Sequence, residues 1–287
     1  MLIGMQTRIQ GPYDMARQSE FFGGWTQTTG NGIVMAFPVE GWTHSAAVVL
    51  RQRDDTIEGQ VYGGGDAAWA QALSVLSLDY DGTGYPAVGD RDPVIAALQR
   101  QNAYLRPVLF HSPYEAACAF IIGHRLRIEQ GRAIRRRMAR EYGESIDAAG
   151  TTVHAFPAPQ RLRTLTAIPG VSDEKLARLH GVADAAADGL LDRTRLRAMP
   201  LADALAQVRT LRGVGAFFAA GIVLRGAGLI DAMPQDDMTL AGIRRFYDVG
   251  AVPSEADLER ITQGWQPYRT WCSVLVHACE RRARASA

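Results

Sequence analysis

The chain has 287 residues, 47% of them hydrophobic and 21% charged, with a formal net charge of +1. A chain of this length buries a large core and points to two or more domains, and no apolar run approaches the ~20 residues that span a bilayer. Cys118, Cys272 and Cys279 are far apart and form no CxxC pair, which argues against a disulfide scaffold, a cysteine-ligated zinc and a four-cysteine iron–sulfur cluster. The opening residues, MLIGMQTRIQ, have neither a basic leader nor an apolar core, so no secretion signal is expected and a reducing cytoplasm fits. Charge is distributed unevenly. Residues 1–100 hold six arginines and eleven acids (−5), and the remainder holds 25 basic and 19 acidic residues (+6), so a polyanion would dock on the C-terminal two-thirds. Lys175 is the single lysine.

Between residues 33 and 65 the runs IVMAFPVE, THSAAVVLRQRDD and TIEGQVYGGG are short, β-branched and partly alternating, which predicts antiparallel strands. A helical pattern over 67–78 and a Gly/Pro-rich loop over 80–90 complete a small α+β domain, residues 1–85, in which no chemistry is apparent. Helical patterns dominate from there. The segment 92–105 opens with Asp92-Pro93, a cap followed by a proline at the first turn, and 112–143 opens with Ser112-Pro113 and breaks at Gly123-His124. Past that break lie Arg125, Arg127, Arg132, Arg135, Arg136, Arg137 and Arg140, with only Glu129 among them. This is either a solvated helix face or a surface that tracks phosphates through arginine's fork of donors. Proline-punctuated helices are expected over 156–162, 168–182 (with an imperfect capping box at Ser172) and 199–210, and a single helix over about 254–284 ends the chain.

The most informative stretch is Leu211–Tyr247, LRGVGAFFAAGIVLRGAGLIDAMPQDDMTLAGIRRFY. Gly213 and Gly215 flank one apolar residue just before a helix-forming run, and a helix start with free N–H groups suits a phosphate. Pro234 introduces Asp236-Asp237, twenty-two residues beyond Gly215 at the second acid. An anion-binding turn followed by a carboxylate suggests an enzyme acting on a phosphodiester chain.

These features resemble the helix–hairpin–helix base-excision glycosylases, and most closely the 3-methyladenine DNA glycosylase II (AlkA) type. Pro12-Tyr13-Asp14, Phe156-Pro157-Ala158-Pro159-Gln160-Arg161-Leu162, the hairpin, Pro234 to Asp237 and Trp265-Gln266-Pro267-Tyr268-Arg269 follow that family's order over nearly the whole chain. The resemblance implies a mostly α protein with a small N-terminal α+β domain, residues 86–287 being all-α glycosylase domains with the hairpin at 211–221. It also implies a monomeric enzyme of the bacterial cytoplasm and nucleoid, acting on double-stranded DNA with a damaged base and requiring no cofactor.

By resemblance the second acid, Asp237, is catalytic, Asp236 is a helix cap or structural partner, and Arg212, Gly213, Val214, Gly215 and Ala216 bind DNA. A Na+ or K+ ion at the hairpin would be held by the carbonyls of Arg209, Leu211 and Val214. Bifunctional relatives place a lysine two residues after the hairpin's last glycine, where this chain has Phe217, so hydrolysis by water without Schiff-base chemistry is expected. Phe217, Trp271 and His277 are expected in the base pocket, where an aromatic face would attract a cationic alkylpurine; for Phe217, plain core packing is the other reading. The family's usual minor-groove loop is replaced by Gly123-His124-Arg125-Leu126, so His124, Arg125 and Leu126 are the wedge positions, and the hairpin reads Leu-Arg-Gly in place of Leu-Pro-Gly. Tyr247 and Arg244 are further helix residues expected near the site. The implied activity is excision of alkylated purines of the 3-methyladenine and 7-methylguanine type. A non-catalytic helix–hairpin–helix DNA binder and a glycosylase for another lesion stay open as alternatives.

Overall fold

The alternating runs between residues 33 and 62 become the central strands of an antiparallel sheet. The computed structural model describes residues 2–18, 27–29, 32–234, 236–250 and 253–285. In chain order come β1 (Leu2–Arg8), α1 (Met15–Gln18), β2 (Gln27–Thr29), β3 (Gly32–Pro38), β4 (Ser45–Arg53) and β5 (Thr56–Tyr62). Helices α2 (Gly65–Val75), α3 (Val88–Arg91), α4 (Pro93–Asn102), α5 (Pro113–Gly123) and α6 (Ile128–Tyr142) follow. A hairpin, β6 (Ser145–Ala148) and β7 (Thr151–His154), precedes α7 (Pro159–Arg163), α8 (Asp173–Ala187), α9 (Arg193–Ala198) and α10 (Leu201–Arg209). Then α11 (Ala216–Gly221) runs on as a π-helical stretch, Ile222–Ala227, before α12 (Asp237–Phe246), α13 (Glu255–Gln263) and α14 (Arg269–Ala285). Among the described residues no helix is long and apolar enough to cross a membrane.

The chain forms two compact units that interleave along the sequence: Met1–Arg8, Phe22–Asp79 and Val108–Gly228 make the first, and Ile9–Phe21, Tyr80–Pro107 and Leu229–Ala287 the second. The expected break near residue 85 falls beside one crossing, at Asp79, but residues 108–228 stay with the sheet because α5 and the elements after it pack there. The expectation of an all-α block over 86–287 also needs correcting, since β6 and β7 pair through Ile146↔Val153. The single helix expected over 254–284 is interrupted between Gln263 and Arg269, where Pro267 removes a backbone donor.

In the first unit the sheet order is β1-β5-β4-β3-β2, with Ile33 opposite Leu50 and Val48 opposite Val61. Every residue of β3 is buried. One face is closed by the β6–β7 hairpin, which packs Ala148, Val153 and Ala155 against Val34, Ala36, Ala47 and Val49. The other elements are anchored by backbone hydrogen bonds, Leu109 N–H to Val75 C=O and Phe110 N–H to Arg225 C=O, both 2.7 Å.

The second unit is organised around aromatic residues. Trp265 and Trp271 are both buried within a core that includes Tyr85, Ile95, Ile243 and Leu275. Arg106, 1% exposed, donates to the carbonyls of Gln10 (2.5 Å) and Pro12 (3.2 Å) and lies 4.8 Å from the Trp271 ring. Asp92 caps α4 by accepting from the N–H groups of Val94 and Ile95, as its place before Pro93 predicts. Its other oxygen accepts from Tyr247 Oη at 2.5 Å and Trp265 Nε1 at 2.9 Å, so one carboxylate starts a helix and satisfies two core aromatics. Asp92→Ala should therefore lower unfolding free energy by about 2–4 kcal/mol, the loss of a cap plus a stranded Tyr247 hydroxyl, Trp265 Nε1 keeping Tyr247 Oη as a second acceptor at 3.0 Å. Chemical denaturation checks this; a loss under ~0.5 kcal/mol would mean that the carboxylate is not the organising group.

Candidate functional site

In the first unit α10 ends at Arg209 and the chain turns through Leu211–Val214, closed by the Val214 N–H donating to the Leu211 carbonyl at 3.0 Å. Gly213 has φ +87°, a left-handed backbone that calls for glycine, and Arg178 of α8 lies over it, its Cδ 2.8 Å from where a Cβ would stand. Arg178 is held in turn by Glu174. Gly215 is different. Its backbone is extended (φ −85°, ψ −176°), and a Cβ on it would meet nothing within 4 Å. Nothing inside the fold requires a glycine at that position. It precedes α11, whose start no side chain caps, so the unpaired N–H groups of the first turn are not taken by the chain's own side chains. Val214 is buried and anchors the turn, whereas Arg212, Gly213, Gly215 and Ala216 are exposed.

The carbonyls of Arg209, Leu211 and Val214 are hard oxygen donors of the kind that suit Na+ or K+. That of Leu211 keeps a second lone pair beside its bond to Val214, so the turn as built is compatible with such an ion.

Beyond the hairpin, Phe217 is 66% exposed, which settles the core-packing reading against it. It borders an aromatic group within the unit: its ring lies edge-on to Phe120 at 6.5 Å and 6.1 Å from Phe218, and Phe218 lies 5.7 Å from His124. Gly221 lets Phe120 pack, since a Cβ there would stand 2.2 Å from the ring.

The loop after α5 is a turn closed by the Leu126 N–H donating to the Gly123 carbonyl at 2.9 Å. His124 has φ −54° and ψ 124°, and Arg125 follows at φ +57°, the arrangement of a type II turn with a non-glycine in the left-handed position. Arg125 is exposed at its tip, and His124 and Leu126 are half-buried at its sides. Lys175 Nζ donates to the carbonyls of Ile122 and His124, each at 2.8 Å, and so clamps the turn to α8. Burial, and then the Arg178 guanidinium, push the Lys175 pKa down. Sequence reasoning noted this lysine only for its uniqueness; nothing in its neighbours signals the clamp.

In the second unit, the loop leading to the acids is stitched to the start of α14 by Thr270, which is 2% exposed. Its N–H donates to the Ile230 carbonyl at 2.9 Å, and its hydroxyl lies 2.8 Å from the carbonyls of Leu229 and Ala232. No motif marks Thr270, and it too escaped the sequence reading. Asp236 caps α12, accepting from the N–H groups of Met238 (3.1 Å) and Thr239 (3.0 Å), from the Thr239 hydroxyl (2.6 Å), and pairing with His277 Nδ1 at 3.0 Å. Burial alone would raise its pKa, but the hydrogen bonds from His277 and Thr239 prevail and hold it at about 2. Asp237, one residue on, opens α12 with an exposed side chain that has no hydrogen-bond or ion-pair partner among the described residues.

Three expectations are changed by these placements. His277 is partly exposed but committed to Asp236 through Nδ1. Trp271 is 1% exposed and packs 5.2 Å from Tyr85 and 5.3 Å from Tyr268, so it is core and offers no wall to a ligand. Tyr247 spends its hydroxyl on Asp92, while Arg244 is exposed on α12. The structure thus brings the hairpin, Phe217 and the His124–Leu126 turn into the first unit, and Asp236, Asp237, His277 and Trp271 into the second.

The low pKa of Asp236 carries a stability consequence. A carboxyl whose folded pKa is depressed contributes stability that is present above its unfolded value and lost as pH falls through the folded one. Here that window runs from about 4 down to about 2. Discounted for partial exposure, the contribution is roughly 1–2 kcal/mol. Asp236→Ser, which keeps a capping side chain, should lower the melting temperature at neutral pH and flatten its fall between pH 4 and pH 2. Parallel melting curves against pH would contradict the assignment.

No family model matches the chain. It is 24% identical over 206 residues to a DNA-3-methyladenine glycosylase of Bacillus subtilis, spanning 70% of this chain and 68% of that protein. Its fold is similar to that of a 3-methyladenine DNA glycosylase from Archaeoglobus fulgidus, with a TM-score of 0.79 at 15% identity, covering 97% of this chain and 98% of the other. An 8-oxoguanine glycosylase/lyase from Clostridium acetobutylicum, solved with double-stranded DNA, superposes with a TM-score of 0.71 at 15% identity over 98% of both chains. The chain therefore has the helix–hairpin–helix DNA glycosylase fold, and its sequence resembles the 3-methyladenine branch of that superfamily.

Proposed function

We propose that this protein is a DNA glycosylase that takes an alkylated purine out of duplex DNA and releases it by hydrolysis, leaving the strand intact. The observation that carries the proposal is the division of labour between the two acids. Asp236 is saturated by a helix start, a threonine hydroxyl and a histidine, and Asp237 beside it is exposed and unengaged. Cleavage of an N-glycosidic bond builds positive charge on the sugar, and an ionised carboxylate stabilises that charge best when no internal partner competes for it. The target bond is buried in the duplex, so the nucleotide must first be flipped out. In this reading Asp237 faces the sugar, water is the nucleophile, and Asp236 positions α12.

DNA would be held at the hairpin. The uncapped start of α11 and the sterically free Gly215 leave room for a backbone phosphate to approach the N–H groups there, with the Arg212 side chain alongside. A monovalent cation bound by the hairpin carbonyls would add positive charge beside that phosphate. The exposed turn carrying Arg125, with Leu126 next to it, would fill the gap left by the flipped base, an arginine being a less apolar plug than the wedges usual in such a role. The protein is expected to act as a monomer.

The position of the amine supports a reading without lyase chemistry. The one lysine places its ammonium on two backbone carbonyls of the first unit, and the position two residues after Gly215 is Phe217. The exposed Phe217 ring suits a positively charged alkylpurine, an attraction worth up to ~2 kcal/mol when desolvated. The likeness to an 8-oxoguanine glycosylase keeps a second reading alive, in which a neutral oxidised purine is the target. Phe217→Ala separates the two, because it should weaken excision of cationic bases selectively. Asp237→Asn should lower the single-turnover rate of base release from methylated duplex DNA by at least ~100-fold while leaving duplex affinity unchanged. Full activity in that variant would remove the role assigned to Asp237.

A further inference from the structure

Apart from the hairpin and the acids, the first unit contains a cavity of about 190 Å3 between α6, the sheet and the start of α5. Arg132, Arg135, Arg136 and Arg140 line it from α6, at the i, i+3, i+4 and i+8 positions of one helical face. Apolar walls come from Val34 and Ala36 of β3, and His111 and Glu115 also line it. Four guanidinium groups against one lining carboxylate leave a net +3 with the histidines neutral (4 − 1).

The His111–Glu115 pair is buried, the two side chains being 4% and 7% exposed, with His111 Nδ1 2.8 Å from Glu115 Oε2. Burial on its own would raise the Glu115 pKa, but His111 and Arg135 more than compensate and hold it below its ordinary value, so the carboxylate is ionised and Nδ1 bears the proton it shares. The far nitrogen, His111 Nε2, is buried and has no hydrogen-bond partner among the described residues. A buried polar atom without a partner is destabilising, and His111 lines a cavity walled by arginines. Burial also pushes the Arg135 pKa down, against the Glu115 carboxylate, with the Arg132 and Arg136 guanidiniums adding to the lowering. A small anion in the cavity would give Nε2 a partner and offset the gathered positive charge.

We propose that this cavity binds a small phosphate-bearing anion, inorganic phosphate or a phosphomonoester, between the α6 arginines and His111. The cavity is too small for a drug-sized ligand, whose pockets run from about 300 Å3 upward, and ample for an ion with a few waters. Arginine forks match phosphate oxygens in pairs. With Nδ1 turned to Glu115, the buried Nε2 of His111 is the ring atom left to bond the ligand. None of the groups assigned to base excision lines this cavity.

Isothermal titration of the full-length protein with inorganic phosphate at pH 7 tests this. The wild type should bind one phosphate. Arg136→Ala/Arg140→Ala, which alters two exposed side chains and spares the core, should weaken phosphate by about tenfold or more. His111→Asn should weaken it as well, with circular dichroism confirming that it folds. No saturable phosphate binding by the wild type, or an unchanged affinity in either variant, would overturn the proposal. Displacement of the phosphate by an undamaged duplex would overturn it as well, by making the site a DNA-backbone contact.

Discussion

Every α-helix begins with N–H groups that its own turns cannot satisfy, and the two helix starts within Leu211–Tyr247 meet that constraint in opposite ways. At α12 the chain supplies the acceptor itself, through Asp236. At α11 it supplies none, and the preceding residue is a glycine that neither backbone strain nor packing requires. The first solution consumes one acid of a pair and releases the other. The second leaves donors available to an outside anion. An anion-binding turn and an unengaged carboxylate, the two parts of the proposed chemistry, both come from how the backbone's unpaired groups are distributed.

Much of the remaining structure serves to hold these two ends in place. Gly213 turns through a left-handed backbone, and Arg178, held by Glu174, packs over it where a Cβ would stand. Lys175, from the same helix, secures the exposed turn at Arg125. In the second unit Thr270 ties the loop before the acids to α14, and Gly242 lets α12 approach that helix closely, since a Cβ there would lie 2.5 Å from Val276. Asp92 fixes Trp265 and Tyr247 in the core behind them. Buried side chains that bond two or three backbone or aromatic partners rigidify their surroundings, because moving any one of them leaves polar groups unsatisfied.

Local signals in the sequence were reliable where they reflect local physics. Asp92-Pro93, Ser112-Pro113 and Ser172 each cap a helix, the strands between 33 and 62 lie where alternation puts them, and the break at Gly123-His124 is real. Of the two roles that the family resemblance implied for Asp236, cap or structural partner, the structure shows the cap. Side-chain destinations set by distant partners were not legible. Trp271 has the residue type of a pocket wall, but Tyr85 and Tyr268 enclose it. The arginines of α6 suggested either a solvated face or a phosphate track, and one subset of them instead lines a cavity whose other wall is strand β3, about a hundred residues earlier. His111 and Glu115 are four residues apart across a helix start, a spacing that could have been noticed, but only the fold shows that both are buried. The interleaved units were equally hidden, because no composition change marks a chain's return to an earlier core.

In the proposed function an exposed aspartate and a lysine-free hairpin make this fold a hydrolytic glycosylase for alkylated purines. Incubation of the wild-type protein with methylated duplex DNA, following free base and strand integrity before and after alkali, tests it. Free methylated purine should be released, and the strand should break only after alkaline treatment. No base release from a duplex that the protein binds, or strand breakage before alkali, would contradict it.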